Sequence, residues 1–325
     1  MRPDKLQLLV EKRWPDTPVA STRELVAAGL DERVLTAAVR SGVILRLRRG
    51  AYVRNAYWIG VKPWARDRLR IDAHFESTGG LSSYSHVSAA RLHGCQTWRA
   101  GPLVHVTTGY SNSRKSAGND VRTHRAALDA GEVTTLLTND GREMRVTTLE
   151  RTVLDCARIL PPAQAAVIGD HALRKGASLE ALRAMLERSP VKRGSRRAAD
   201  LLEILDARSE SAGETRTRLL LQSFGLRTFI PQLAIDARGG SYRADFADPV
   251  RKAVIEFDGA TKYFDYRPTG EVLVAERRRE NALREEGWAV LRLEWSHLDR
   301  PAELRRRLAA FLARESGTQK RPRPA

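Results

Sequence analysis

The sequence predicts a multidomain protein of mixed class, α/β and α+β, on three observations. Three short helical patterns and then a basic alternating stretch fill residues 1–58. Helices and short strands interleave between 59 and 190. After Ser211 the order is helix, three strands, helix, strand, helix. A chain of 325 residues has room for two or three such domains, and 42% hydrophobic against 29% charged residues excludes a disordered chain.

The first helical pattern follows Asp4 and puts Leu6, Leu9 and Val10 on one face. The second opens with Ser21-Thr22-Arg23-Glu24, a capping box in which hydroxyl and carboxylate satisfy each other's orphan amides. It carries Leu25 and Val26 and stops at Gly29. The third is capped by Asp31, buries Val34, Leu35 and Ala38, and stops at Gly42. Residues 43–53 alternate around Gly50 and read as a β-hairpin.

Three helices and a basic hairpin make a winged helix-turn-helix. In that arrangement the third helix enters the major groove and presents Glu32, Arg33, Thr36 and Arg40. The hairpin lays Arg46, Arg48 and Arg49 on backbone phosphate. Protein-interaction modules share the order, and the wing arginines favour DNA. Whole-chain charge agrees: 56 Lys and Arg against 39 acids leave +17, which suits a polyanionic partner.

The middle segment, 59–190, has helices predicted at 85–93, 148–159, 162–174 and 178–188, and strands at 103–108, 120–125 and 143–147. Thr147 and Glu150 form a second capping box, and Arg151 pairs with Asp155 one helical turn on. Among His86, His93, His105 and His124, the first two lie two turns apart on one helix, too far to chelate one ion. Packing or phosphate contact is therefore favoured over metal ligation. Cys95 and Cys156 are the only cysteines and read as core thiols in a reducing, cytoplasmic setting. No apolar run reaches bilayer length, so no membrane role is expected.

Residues 21–53, with Thr22-Arg23 opening the second helix and Arg49-Gly50-Ala51-Tyr52 in the wing, resemble the amino-terminal domain of AbiEi-type antitoxin transcriptional regulators. The middle resembles that family through Ser85 to Gly94, Val104 to Thr107 and Thr147 to Asp155. The resemblance implies DNA-binding autoregulation and, in some members, neutralisation of a cognate toxin.

A basic, breaker-containing joint begins at Pro190 and leads through linker and helix, 191–210, to the last domain, 211–315. The basic end, 316–325, is expected to be disordered. The αβββαβ order after Ser211 is the core of a restriction-endonuclease-like fold. Asp245 falls on the second strand, and Glu256 ends the third with Asp258 two residues on. Residues two apart in a strand share a face, so all three carboxylates can aim at one point. Hard oxygen ligands gathered this way suit Mg²⁺ or Mn²⁺ on a scissile phosphate. Gly259 allows a sharp turn there, and Lys262 stands within reach of phosphate. Glu214 serves equally as the N3 partner of Ser211 or as a catalytic group.

This region resembles an uncharacterised Vsr-like endonuclease-fold family of the PD-(D/E)XK superfamily. The likeness rests on Glu214, Arg243 to Phe246, Ile255 to Gly259, Glu276 to Arg279, and Gly287 to Arg292. It implies Asp245, Glu256 and Asp258 as the metal set, with Glu214, Lys262 and Glu276 beside them, and Arg277 and Arg278 on phosphate. Two positions depart from the pattern. Asp258 stands where the superfamily usually has Lys, and Glu276 where this family often has Asp. The expectation is a DNA-binding protein whose last domain nicks or cuts DNA. The alternative is a non-catalytic AbiEi-type regulator with a degenerate nuclease fold.

Overall fold

The computed structural model describes residues 3–109, 119–138, 141–237, 240–259 and 270–318. The chain is a mixed α/β assembly with three sheets, divided into two compact units. One unit holds residues 1–160 and 177–199; the other holds 161–176 and 200–325.

The first unit opens with α1 (Pro3–Arg13), β1 (Val19–Ser21), α2 (Thr22–Ala27) and α3 (Glu32–Arg40). The capping box forms as the sequence requires. Ser21 Oγ accepts from the Glu24 amide at 3.2 Å, and Glu24 Oε2 accepts from the Ser21 amide at 2.8 Å. Asp31 Oδ1 caps α3 through the Val34 amide at 2.8 Å. Strands β2 (Ile44–Arg48) and β3 (Ala51–Arg54) turn at Gly50, whose φ of +79° is a conformation that side chains resist. With β1 they form an antiparallel sheet in the order β1-β3-β2. Leu6, Val10, Leu25, Leu30, Leu35 and Ile44 fill the core beneath it.

After α4 (Asn55–Gly60) comes α5 (Pro63–Thr78), a long helix with no counterpart among the predicted elements. Its buried residues, Leu69, Ile71, Ala73, His74 and Phe75, interleave with Arg66, Arg68 and Arg70 and hide the 3.6-residue period. A second sheet follows in the order β6-β5-β4-β8-β7. Its strands are β4 (Ser83–Tyr84), β5 (Val104–Thr108), β6 (Val121–Arg125), β7 (Val133–Leu137) and β8 (Glu143–Thr147). Helices α6 (His86–Leu92), α7 (Leu149–Ile159) and α9 (Leu179–Arg188) complete this unit; α8 (Pro162–Arg174) is in the other. The cap of α7 is Thr148, not Thr147, whose hydroxyl instead meets that of Thr152 at 2.7 Å. The expected Arg151–Asp155 pair forms at 2.9 Å, and Glu132 joins it at 2.7 Å from Arg151.

Helix α8 (Pro162–Arg174) belongs to the second unit, whereas the sequence assigned it to the middle segment. Asp170, 1% exposed, accepts from Arg218 Nη2 at 2.7 Å and from Thr215 Oγ at 2.8 Å. A buried ion pair between residues 48 positions apart leaves no periodic trace. Helix α10 (Ser195–Leu202) spans the division.

The rest of the second unit runs α11 (Ala212–Ser223), β9 (Ile230–Ala237), β10 (Gly240–Asp248), β11 (Ala253–Phe257), α12 (Gly270–Glu285), β12 (Ala289–Leu293), α13 (Trp295–Leu298) and α14 (Pro301–Thr318). Its sheet is ordered β12-β11-β10-β9; β9, β10 and β11 are antiparallel, and β12 lies parallel to β11. The parallel pair needs a crossover, which contains α12. Phe246, Ile255, Phe257 and Leu293 pack with Leu221 and Leu304 in one core cluster. Ala244, Val254 and Leu283 form another. α11 approaches β11 closely because Gly213 carries no side chain: a Cβ there would lie 1.9 Å from Phe257 Cε1.

Candidate functional site

Two surfaces carry the residues singled out by the sequence. On the first, Leu35 and Ala38 turn α3 into the core, so Arg33, Thr36 and Arg40 face outward. With Glu32, Ala37 and Ser41 they line an open groove. Thr36 Oγ donates to the Glu32 carbonyl at 2.8 Å, which leaves its lone pairs for a ligand. Arg46 and Arg49 of the hairpin are exposed and have no hydrogen-bond or ion-pair partner among the described residues.

Arg48 departs from the expected phosphate contact. It is 15% exposed, pairs with Asp120, and donates from Nε to Ser77 Oγ at 3.0 Å. A bulge between Arg46 and Arg48 turns them to opposite faces: Arg46 pairs with Tyr52, whereas Arg48 comes opposite Ala51, where Ser77 of α5 meets it. That guanidinium is part of the fold.

The second surface gathers carboxylates. Ser211 Oγ caps α11 by accepting from the Glu214 amide at 3.1 Å. The Glu214 carboxylate accepts from the Glu210 amide at 2.8 Å and from Gln232 Nε2 at 2.9 Å. Burial raises its carboxyl above the usual range, against the Glu210 amide, and the negative charge of Asp245 raises it further. Asp245 Oδ2 accepts from the Phe257 amide at 2.8 Å, which ties β10 to the end of β11. Glu256 Oε1 accepts from Arg279 Nη2 at 2.8 Å. Asp258 lies two residues on, its amide donating to the Leu293 carbonyl at 2.7 Å.

Hard oxygens of this kind are the right donors for Mg²⁺ or Mn²⁺. While Arg279 holds Glu256, a dication would have to displace it. The positive charge beside Glu256 is already supplied by Arg279, and Asp245, Glu256 and Asp258 do not form a triad with ligand atoms within 4.8 Å of one another. Arg279 and Gln232 are the partners that sequence reasoning missed. Arg279 was visible only as one of three consecutive arginines, and Gln232 gave no signal. Arg277 and Arg278 are exposed on α12. Glu276 lies on the same helix, its side chain outside the described residues, and Lys262 lies outside them altogether.

His93 Nε2 bonds the Thr147 carbonyl at 2.7 Å, while His86, His105 and His124 converge. The signal was their residence on one helix start and two strands, which reveals nothing until strand pairing is known.

No described helix is long and apolar enough to cross a membrane. Two uncharacterized proteins of Mycobacterium tuberculosis, from strains CDC 1551 / Oshkosh and H37Rv, are each 29% identical over 169 residues. The aligned region is 50% of this chain and 60% of theirs, so the chain spans under two thirds of those relatives. The crystal structure of the RV2827C protein from the same species overlays with a TM-score of 0.41 at 14% identity, covering 66% of this chain and 79% of that one. Residues 16–55, which contain α2, α3 and all three strands of the first sheet, match the family described as transcriptional regulator, AbiEi antitoxin.

Proposed function

We propose that the chain binds duplex DNA through a winged helix-turn-helix made by α1 to α3 and the β2–β3 hairpin. It acts as a transcriptional regulator of AbiEi-antitoxin type, with a cognate toxin as protein partner. The carrying observation is the outward face of α3, Arg33, Thr36 and Arg40, followed in the chain by the exposed Arg46 and Arg49. The AbiEi match over the same segment supports the reading. Arginine forks suit base edges in the groove and phosphates beside it.

Fluorescence anisotropy with duplex DNA from upstream of its own gene tests this. Arg33→Ala with Arg40→Ala should weaken binding at least tenfold and blur discrimination from random duplex, since an arginine on a base edge is worth about 1–3 kcal/mol. Unchanged affinity and unchanged discrimination would sink the assignment.

The element order of residues 211–315 and their gathered carboxylates favour a second reading for that part of the chain. There a restriction-endonuclease-like domain of Vsr type keeps Asp245, Glu256 and Asp258 as metal ligands, with Glu214, Lys262 and Glu276 as companions and Arg277 and Arg278 on phosphate. Mg²⁺ or Mn²⁺ would supply an activated water and charge stabilisation. Cutting then requires that Arg279 leave Glu256; while it stays, the domain binds DNA without turnover. Supercoiled plasmid with either metal decides between them: nicking abolished by EDTA and by Glu256→Ala is turnover, and an intact plasmid is the degenerate fold.

A further inference from the structure

Strand β6 forms one edge of the five-stranded sheet, and Arg122 and His124 share one of its faces. Helix α7 brings up Arg151, Asp155 and Arg158, spaced by four and then three residues and so set on one helix face. Arg193 comes from the segment before α10, and Arg197 from α10 itself. These residues line a cavity of about 700 Å³ that lies wholly within the first unit. Among its described lining residues six are arginines, with Arg125 the sixth, and Asp155 is the one carboxylate. We propose that this cavity binds a small molecule carrying two or more phosphoryl groups.

The deep cations are matched within the protein. Arg151 donates to Asp155 Oδ1 at 2.9 Å and to Glu132 Oε2 at 2.7 Å. Arg158 lies 3.6 Å from the same Asp155 oxygen and donates to Ser189 Oγ at 2.9 Å. Two acids therefore answer two buried guanidiniums, as the burial of charge requires. The surplus lies nearer solvent. Arg122, Arg125 and Arg193 are exposed and have no hydrogen-bond or ion-pair partner among the described residues. Arg197 donates to the Arg158 and Leu160 carbonyls, bonds that hold it in place and leave its charge unmatched. Like charges gathered around one hollow repel, and an anion between them removes the repulsion. Arg158 Nε is buried without an acceptor, so the lining also contains a donor that lacks its partner.

The ligand class follows from fork, charge and volume. A guanidinium presents a planar fork that fits phosphate oxygens two at a time. Four unmatched arginines exceed the charge of one phosphoryl group, about −1.5 to −2 near neutral pH, so two or more groups match them better. The cavity falls within the range of about 300–1,000 Å³ usual for small-molecule sites. Ala126, Ile159 and Val191 give it an apolar side for the rest of the ligand. The His86 and His124 rings, stacked with centroids 3.5 Å apart, add surface and no charge. Burial, then Arg122, pushes His124 down to about 4, and burial with His124 and His105 holds His86 well below its ordinary value. Charge recognition therefore falls to the arginines. Duplex DNA carries its phosphates on a convex surface, which cannot follow the lining inward to Arg158.

Isothermal titration calorimetry on the full chain tests this, with ADP, AMP, inorganic pyrophosphate and a random DNA duplex as probes. ADP should bind one per chain and raise Tm, and AMP should bind at least about tenfold more weakly. Arg122→Gln with Arg193→Gln should weaken ADP and pyrophosphate at least about tenfold. Both side chains are exposed and partnerless among the described residues, so the fold should survive, and circular dichroism checks that it does. Arg145→Gln, an exposed arginine of β8 outside the cavity lining, should leave both affinities unchanged. Duplex affinity should be the same in the double variant as in the parent. The proposal fails if neither ADP nor pyrophosphate saturates the chain by about 1 mM, or if the folded double variant binds them as the parent does. It fails also if AMP binds as tightly as ADP. Loss of duplex affinity in the double variant would overturn it as well, by marking these arginines as a DNA contact.

Discussion

Arg279 reaches from α12 to Glu256 on β11, its Nη2 donating to Glu256 Oε1 at 2.8 Å and to the Arg243 carbonyl at 2.7 Å. A guanidinium thus supplies the positive charge beside Glu256. Under the metal-binding reading proposed above, removing it opens that carboxylate to a dication. Arg279→Met is expected to lower stability by only about 1 kcal/mol, because the pair is partly solvated. In the variant, millimolar Mg²⁺ should raise Tm, since an ion that binds only the native state stabilises it. Differential scanning fluorimetry with and without Mg²⁺ measures this, and equal Mg²⁺ responses in variant and parent would refute it.

The hairpin arginines should separate cleanly. Arg46→Ala and Arg49→Ala are expected to reduce the slope of log affinity against log salt by about 0.9 for each phosphate no longer neutralised. Arg48→Ala should leave the slope alone and cost about 1 kcal/mol of stability, through its bonds with Asp120 and Ser77. Anisotropy at several salt concentrations and urea melts read the two effects independently.

Gly213 packs its bare Cα against the Phe257 ring. Gly213→Ala should destabilise the protein by about 1–3 kcal/mol or more, because the ring, packed edge-on against Trp295 at 5.1 Å, cannot retreat freely. Gly60→Ala controls for the removal of glycine flexibility: it too is helical, its φ is not left-handed, and nothing lies within 4 Å of an added Cβ. Equal destabilisation at both positions in denaturant melts would remove the packing argument.

Asp248 is wholly buried and accepts from Thr228 Oγ at 2.6 Å and from the Val250 and Arg251 amides at 3.1 Å, and it pairs with Arg251. Burial alone would raise its carboxyl; these donors outweigh burial and hold it below the ordinary aspartate range. A depressed acid stabilises the fold above its unfolded value, and that stabilisation is lost as pH falls through the lower, folded value. The stability gap between parent and Asp248→Asn should therefore be widest near neutrality and shrink below about pH 4. Urea midpoints across that range test it, and a gap that stays constant with pH would count against the linkage.

Local chemistry in the sequence determined much of this molecule. Ser21 with Glu24, Asp31 and Gly50 set the first helices and their hairpin through caps and a turn that act over a few residues. Alternation and breakers placed β9 to β12 and the helix between β11 and β12, and with them the positions of Asp245, Glu256 and Asp258. The tertiary structure decided what those side chains meet. Arg48 reads as a wing cation until Asp120 and Ser77 come alongside it. α8 joins α11 because Asp170 needs Arg218, and Glu256 is matched by Arg279 rather than left to its neighbours. His105 and His124 meet only once β5 and β6 pair in parallel. Each of these is a pairing of charge or ring across long sequence separation, driven by the cost of burying a polar group alone, and no periodicity records it.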